Sequence, residues 1–226
     1  QDLIRMSVAR ACCLEPLQEF ELPVDKNALV VGGGVAGMTA ALSLANQHHD
    51  VYLIEKEKQL GGMARRLHST LEGMDVQAYL KDLTQTVYQH PLIHVYTEAC
   101  IVETEGYVGN FHTRVRSRRG LTDIKHGACI IAIGAQEHRP SEYLYGEDER
   151  VMTQLALEER IAGGDAAVAE AQNIVMIQCV GCRTDDRNYC SRICCSHAVK
   201  NALTLKEKNP DVNIYVLFRD MRTYGF

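Results

Sequence analysis

Five of the nine cysteines fall within 17 residues of the chain, and this loop is its strongest chemical signal. The five are Cys179, Cys182, Cys190, Cys194 and Cys195. Arg and Asp residues are interspersed among them, which argues against inert thiols in a dry core. Four thiolates on a short loop are the usual ligands of a [4Fe–4S] cluster, so an iron–sulfur site is the first hypothesis.

Two other hypotheses for the cysteine loop stay open. Structural zinc could be bound by Cys179-x2-Cys182 together with Cys190-x3-Cys194. The two pairs are only seven residues apart, however, which is shorter than the usual zinc-ribbon spacing. A dithiol that cycles with a disulfide is the third hypothesis.

A glycine-rich loop provides the second chemical signal. Gly32, Gly34 and Gly37 form a G-x-G-x-x-G motif between an apolar run and a helical segment, the context that a dinucleotide-binding loop requires. The first glycine permits a tight turn, the second lets the backbone approach a pyrophosphate, and the third lets helix and strand pack closely. Glu55 ends the next apolar run, where an acidic side chain can bind ribose hydroxyls. A packing turn without a ligand is the weaker alternative.

Two later stretches favour FAD over NAD, because they resemble those of flavoproteins with two dinucleotide-binding domains. In such proteins a glycine pair like Gly61-Gly62 opens a second loop over the FAD pyrophosphate. A later strand ends in a turn like Gly134-Ala135, although Ile133 stands where threonine is common. The residues expected to contact FAD are Gly32, Gly34, Val35, Ala36, Gly37, Glu55, Lys56, Gly61, Gly62, Met63, Ile101, Ala132 and Gly134.

The hydrophobic pattern predicts the elements that position these residues. Strands are predicted at residues 28–31, 51–54, 93–97, 100–104, 111–116, 128–133, 174–177 and 212–218. Helices are predicted at residues 3–14, from the glycine loop to about 47, at 75–89 with Asp75 as the cap, at 151–162, and at 191–208 with Ser191 as the cap. Cys194 and Cys195 would then lie in a first helical turn, where the helix dipole favours thiolates.

The predicted fold class is α/β, with two Rossmann-like units of the thioredoxin-reductase-like flavoprotein type. We expect an N-terminal helix and connector at residues 1–26 and an FAD-binding domain at 27–150, interrupted by β-hairpins. A second Rossmann-like domain at 151–226 would carry the cysteine loop in place of a second glycine loop.

Composition bounds the function class. The 226 residues are 46% hydrophobic and carry a net charge of −5, which disfavours a nucleic-acid surface because such a surface needs a clustered basic face. No run of about 18 or more apolar residues is present, so we expect no membrane span. No secretory leader is visible, and we expect a cytoplasmic protein.

Several longer stretches resemble the heterodisulfide reductase family, specifically its A-type subunit, which carries flavin and iron–sulfur. Together they span essentially the whole chain and are residues 2–11, 14–16, 31–38, 178–183, 189–195 and 198–202. The Cys-x3-Cys-Cys pattern is the most specific of these features. By the resemblance, the cluster ligands would be Cys179, Cys190, Cys194 and Cys195, with Cys182 left as a spare thiol.

The resemblance implies FAD, a [4Fe–4S] cluster and flavin-based electron bifurcation. The partners that it implies are other heterodisulfide reductase subunits, a hydrogenase or formate dehydrogenase as electron donor, and ferredoxin; a homodimer is also expected. Lys200 lies five residues after Cys195, and we expect it to be a catalytic group that stabilises a reduced, anionic flavin. A solvent-facing lysine is the alternative. Since members of the family are longer, we expect the chain to be a fragment.

Two further functions remain open from the residues. One is that of the related flavin and iron–sulfur component of quinone-interacting oxidoreductases. The other, from a different class, is a zinc-stabilised nucleotide-binding assembly module without redox activity.

Overall fold

The computed structural model describes residues 1–16, 19 and 21–223. Residues 17, 18 and 20 of the predicted connector and residues 224–226 at the end of the predicted second domain lie outside the described residues. The helices are α1 (Asp2–Cys12), α2 (Val35–Ala45), α3 (Val76–Gln89), α4 (Gln154–Gly163), α5 (Ala166–Ala169) and α6 (Cys194–Lys208), with a 3₁₀ helix at Gly62–Arg66. The strands are β1 (Ala28–Val31), β2 (Val51–Ile54), β3 (Ile93–Tyr96), β4 (Cys100–Tyr107), β5 (Asn110–Ser117), β6 (Gly120–His126), β7 (Ala128–Ile131), β8 (Asn173–Ile177) and β9 (Asn213–Leu217).

A four-stranded parallel sheet forms the centre of the first unit, in the order β3-β2-β1-β7. Its middle strands are nearly all apolar, as expected for a parallel sheet that is covered on both faces. On one face, Val30 and Leu53 pack with Met38 of α2 and Val87 of α3. The glycine motifs lie in the loops that follow β1 and β2, at the carboxyl ends of these parallel strands.

An antiparallel meander, β4-β5-β6, covers the other face of that sheet. Val115 of β5 and Ile124 of β6 pack against Leu29 and Ile54. Strand β6 was not predicted from the sequence, because its residues 120–126 are mostly polar. Its pairing with β5 and the burial of alternate residues near its end, Ile124 and His126, make it a strand.

The second unit is a parallel pair, β8-β9, with helices packed on one side. Leu157 of α4, Met176 of β8 and Leu205 of α6 share its core. Helix α6 begins at Cys194, so the predicted start at Ser191 with a Ser191 cap is wrong. Arg192 has a φ of 65°, which a right-handed helix does not allow, and the N-cap residue Ile193 offers no side-chain cap.

Helix α1 is predicted correctly, but none of its residues is buried. Leu3 and Met6 on this helix are among the exposed large hydrophobic residues. None of the described helices combines the length and the apolar character that a membrane-spanning segment needs.

Candidate cofactor sites

The first glycine loop requires glycine at two positions for steric reasons. A Cβ at Gly32 would lie 2.3 Å from the carbonyl oxygen of Ala132, and Gly32 has a φ of 109°. A Cβ at Gly37 would lie 1.8 Å from the carbonyl oxygen of Gly32. The loop is therefore packed against the end of β7 on one side and against α2 on the other.

Gly34 differs from these two, because a Cβ there would meet no atom within 4 Å. It is the N-cap of α2, so the unpaired N–H groups of the first helical turn face the open space beside it. Among the described residues, no steric contact requires glycine at this position. Glycine is one of the preferred N-cap residues, and it also leaves room for an anionic group such as a pyrophosphate to approach the backbone.

The two glycine loops meet at this open space. The N–H of Gly61 donates to the carbonyl oxygen of Gly33 at 2.7 Å, and Gly34 and Gly61 form an isolated parallel bridge. Both Gly61 and Gly62 have positive φ, at 116° and 51°. Residues that the sequence places 27 positions apart thus form one cradle of small residues and backbone N–H groups at the end of the sheet.

The carboxylate of Glu55 fixes the backbone next to the cradle. It is 6% exposed, and its carboxylate accepts the N–H of Gly33 at 2.7 Å on Oε2 and the N–H of Glu57 at 2.8 Å on Oε1. Each carboxylate oxygen can accept more than one hydrogen bond, so this anchoring leaves acceptor capacity for ribose hydroxyls.

The other residues that are predicted to contact FAD differ in their exposure and in the element that carries them. Lys56 and Met63 are exposed, and Val35 and Ala36 begin α2. The N–H of Ala132 donates to Val31 beside the loop. Gly134, with a φ of 66°, and Ile101 on β4 are exposed. The contact of Ile101 with FAD stays a prediction.

The cysteine loop brings the five thiols into electrostatic contact. Burial raises the pKa of the Cys182 thiol, and the nearby Cys179, Cys194 and Cys190 raise it further. Burial likewise raises the pKa of Cys195, with added contributions from Cys194 and Cys179. The predicted stabilisation of thiolates by the helix dipole is therefore outweighed at Cys195 by burial, which disfavours the charged form.

N–H groups act on four of these thiols. The guanidinium of Arg183 lies 3.9 Å from Sγ of Cys179, and the backbone N–H of Arg192 lies 3.4 Å from Sγ of Cys190. The backbone N–H groups of Ser191 and Arg222 lower the pKa of Cys182 and of Cys195, respectively, against the larger effect of burial. N–H groups directed at sulfur favour the thiolate form and tune iron–sulfur centres.

The thiols do not converge on a single ion. Within the described part of the chain, no group of three or more His, Cys, Asp or Glu side chains is arranged to hold one metal ion. Tetrahedral zinc holds its thiolates at about 2.3 Å, so its ligands must converge on one point. Among the described residues, the thiols are not preformed around one such point.

The segment after β9 returns to the cysteine loop, which the sequence did not indicate. Asp220 pairs with the guanidinium groups of Arg183 and Arg222. Together with Arg219 and Cys190, these arginines line a polar cavity of about 300 Å³. The segment therefore places positive charge beside thiols that carry negative charge when they bind metal.

Lys200 is neither a free cation nor a surface residue. Its Nζ donates to Oε2 of Glu158 at 2.7 Å and to the carbonyl oxygen of Ser69 at 2.9 Å. Glu158 was not singled out from the sequence, because its partners lie 39 to 90 residues away along the chain. Whether Lys200 acts on a flavin stays a prediction.

Arg66 makes a second set of contacts between the two units, and the sequence did not indicate these contacts. Its guanidinium binds both carboxylate oxygens of Glu159 on α4, at 2.6 and 2.9 Å, and Glu137 at 3.1 Å. These bonds raise the pKa of the already basic Arg66 and lower the pKa of Glu159. The 3₁₀ helix that begins at Gly62 is thus fixed against α4.

Comparison with known proteins bears out the resemblance. The chain matches the family described as pyridine nucleotide-disulphide oxidoreductase over residues 26–177. Over all of its length it is 30% identical to an A-type iron-sulfur subunit of the CoB–CoM heterodisulfide reductase of Methanopyrus kandleri. It is 28% identical to the A-type subunit of the H2:CoB-CoM heterodisulfide,ferredoxin reductase of Methanothermobacter marburgensis, again over its full length.

The chain spans about half the length of these curated relatives, 48% of each. The alignments extend over 316 positions, compared with 226 residues in this chain. The relatives therefore carry additional residues within the matched region as well as outside it.

Solved structures confirm the predicted fold class. Thioredoxin reductase of Lactococcus lactis superposes with a TM-score of 0.52 at 15% identity, covering 87% of this chain and 68% of that one. The L-proline dehydrogenase of P. horikoshii gives a TM-score of 0.51 at 18% identity, covering 93% of this chain and 39% of that one. At such identities, these likenesses establish the fold alone.

Proposed function

Because the chain belongs to the pyridine nucleotide-disulphide oxidoreductase family, we propose that it carries FAD at the glycine cradle and a [4Fe–4S] cluster at the cysteine loop. Its function is electron transfer between these two centres within a heterodisulfide reductase-like complex. The observation that carries the proposal is the placement of five cysteines on one loop and the first turn of α6, with N–H donors 3.9 Å from Sγ of Cys179 and 3.4 Å from Sγ of Cys190.

FAD fits the first site on steric and electrostatic grounds. Gly34 is the one position of the motif where a Cβ has room and yet glycine stands, beside the N-terminus of α2. Gly61 and Gly62 close the cradle from the second loop, and Glu55 lies below it. These residues would hold the pyrophosphate and ribose of the dinucleotide.

A [4Fe–4S] cluster fits the second site through its donor chemistry. The resemblance assigns the ligands to Cys179, Cys190, Cys194 and Cys195, and we retain that assignment as part of the proposal. Arg183 and the backbone N–H groups of Arg192 and Arg222 would offset the negative charge of the thiolates.

When bound, FAD supplies electron exchange in one- or two-electron steps, and the cluster supplies single-electron transfer. The chain's own residues bind the two groups at sites that are linked by the segment of residues 61–69, which contacts the glycine cradle and Lys200 of α6. Relatives of this chain are named as subunits of heterodisulfide reductases, one of them with ferredoxin in its name. We therefore include flavin-based electron bifurcation, other subunits of that complex, a hydrogenase or formate dehydrogenase and ferredoxin in the proposal.

Anaerobic reconstitution with iron, sulfide and FAD tests the proposal. We expect an absorbance spectrum with flavin bands and a broad iron–sulfur shoulder, together with iron and acid-labile sulfide on analysis. A colourless protein that contains zinc would contradict the redox function and support the assembly-module alternative.

Single cysteine variants test the ligand assignment. Cys190→Ser should lose the cluster and keep FAD, whereas Cys182→Ser should keep both. Cys129→Ser is the matched control, because this thiol lies on β7, away from the loop, and is exposed. Cluster loss in Cys182→Ser with retention in Cys190→Ser would overturn the assignment.

A further inference from the structure

Glu158 is a buried carboxylate at the junction of the two units. It is 5% exposed, and its Oε1 accepts the backbone N–H of His68 at 2.7 Å. Its Oε2 is 2.7 Å from Nζ of Lys200 and 2.6 Å from Nε2 of His197. Three donors from two other segments therefore converge on one side chain.

The charges of this group are balanced internally. An ionised carboxylate only accepts hydrogen bonds, so we assign the ring hydrogen of His197 to Nε2. Glu158 and Lys200 form an ion pair of opposite charges, with the Lys200 side chain only 11% exposed. Loss of either partner would leave an uncompensated buried charge.

The pair is tied to both candidate cofactor loops. Lys200 lies on α6, the helix that begins with Cys194 and Cys195. Its second bond goes to the carbonyl oxygen of Ser69, and Ser69 closely follows the 3₁₀ helix that begins at Gly62 in the glycine cradle. The ion pair therefore lies where the segment from the dinucleotide loop meets the cysteine-bearing helix.

We propose that Glu158 is a positioning residue that holds Lys200 against Ser69 and compensates its charge. The group that acts on the flavin's electrostatic environment is thus the Glu158–Lys200 pair rather than a lone lysine cation. This inference rests on the proposed function, because it assigns a role toward the FAD that the first unit would bind.

The two partners should have opposite effects on the flavin. Glu158→Gln leaves the charge of Lys200 uncompensated, and positive charge favours the electron-rich reduced flavin. Lys200→Met leaves the carboxylate uncompensated, and negative charge disfavours it. A junction that only supports the fold would move both variants in the same direction.

The experiment is a spectroelectrochemical titration of the full chain reconstituted with FAD. We expect a raised flavin midpoint potential in Glu158→Gln, a lowered one in Lys200→Met, and a value near wild type in the double variant. Glu207→Gln, on the exposed side of α6, is the control with the same change of charge. Shifts of the same sign in the two single variants, or no shift beyond that of the control, would overturn the inference.

A second measurement needs no bound flavin. Acylation of lysines followed by mass spectrometry should label Lys200 slowly in wild type and severalfold faster in Glu158→Gln, with Lys206 on the same helix as the internal reference. Unchanged labelling of Lys200 would show that Glu158 does not hold it. If the wild-type chain bound no FAD, the proposed function would fail, and this labelling would still decide whether Glu158 positions Lys200.

Discussion

At the level of single residues, the three glycines of the first glycine loop occupy their positions for different physical reasons. Gly32 and Gly37 are required by the fold, since a Cβ at either would overlap a backbone carbonyl oxygen. Gly34 has room for a Cβ, and we propose that it leaves space for the pyrophosphate of FAD. The motif was predicted from the sequence, but this division of roles needed the distances.

Alanine substitutions should separate these roles. Gly34→Ala should cost less than about 1 kcal/mol of unfolding free energy, as expected when glycine at an N-cap is replaced, yet weaken FAD binding about tenfold or more. Gly37→Ala should cost about 1–3 kcal/mol because the loop must move. The measurements are denaturant unfolding and FAD titration.

Gly163→Ala is the control for this pair, because a Cβ there meets no atom within 4 Å and the residue ends α4. It should leave FAD binding unchanged and the protein as stable or slightly more stable. Unaltered FAD affinity in Gly34→Ala would contradict the assignment of the cradle.

His126 makes stability depend on pH. The side chain is fully buried, its Nδ1 donates to the carbonyl oxygen of Ala128 at 3.0 Å, and Nε2 accepts from Thr113 at 2.9 Å. Burial lowers the pKa of His126 from its ordinary value of 6.5. The unfolded chain therefore binds a proton first as the pH falls, and the stabilisation present above pH 6.5 is lost below it.

Thermal or denaturant unfolding between pH 8 and pH 5 measures this dependence. We expect the double variant His126→Phe with Thr113→Val to lose less stability over that range than wild type, because both polar partners are replaced together. An equal loss in both proteins would show that His126 does not contribute.

Among the secondary-structure elements, the sequence predicted the features that depend on neighbouring residues alone. Asp75 was predicted to cap α3, and its carboxylate accepts the N–H groups of Gln77 at 2.8 Å and Ala78 at 3.0 Å. The start of α6 was mispredicted because the left-handed backbone at Arg192 has no signature in residue type. Strand β6 was missed because its residues are mostly polar, and it forms by pairing with β5.

Asp75→Ala should therefore lower the free energy of unfolding by about 1 kcal/mol. Asp82→Ala is the matched control on the same helix, because this exposed carboxylate caps nothing. Chemical denaturation of both variants compares them. Equal stability of the two would mean that the cap contributes nothing.

At the scale of the whole molecule, the contacts that join the two units could not be predicted. Arg66 and Glu159 lie 93 residues apart, and Lys200 and Ser69 lie 131 apart. Each loop carries its own motif, and the motifs predicted the two candidate sites separately. The segment that links them, residues 61–69, contains ordinary polar residues whose partners only the fold reveals.

The proposed function requires electrons to pass between the FAD and the [4Fe–4S] cluster, and this exchange can be measured directly. The measurement is photoreduction of the FAD in the anaerobically reconstituted chain, followed by low-temperature EPR. We expect the signal of a reduced [4Fe–4S] cluster that grows as the flavin is reduced and is absent in Cys190→Ser. Reduction of the flavin with no cluster signal in the wild-type chain would contradict the proposed function.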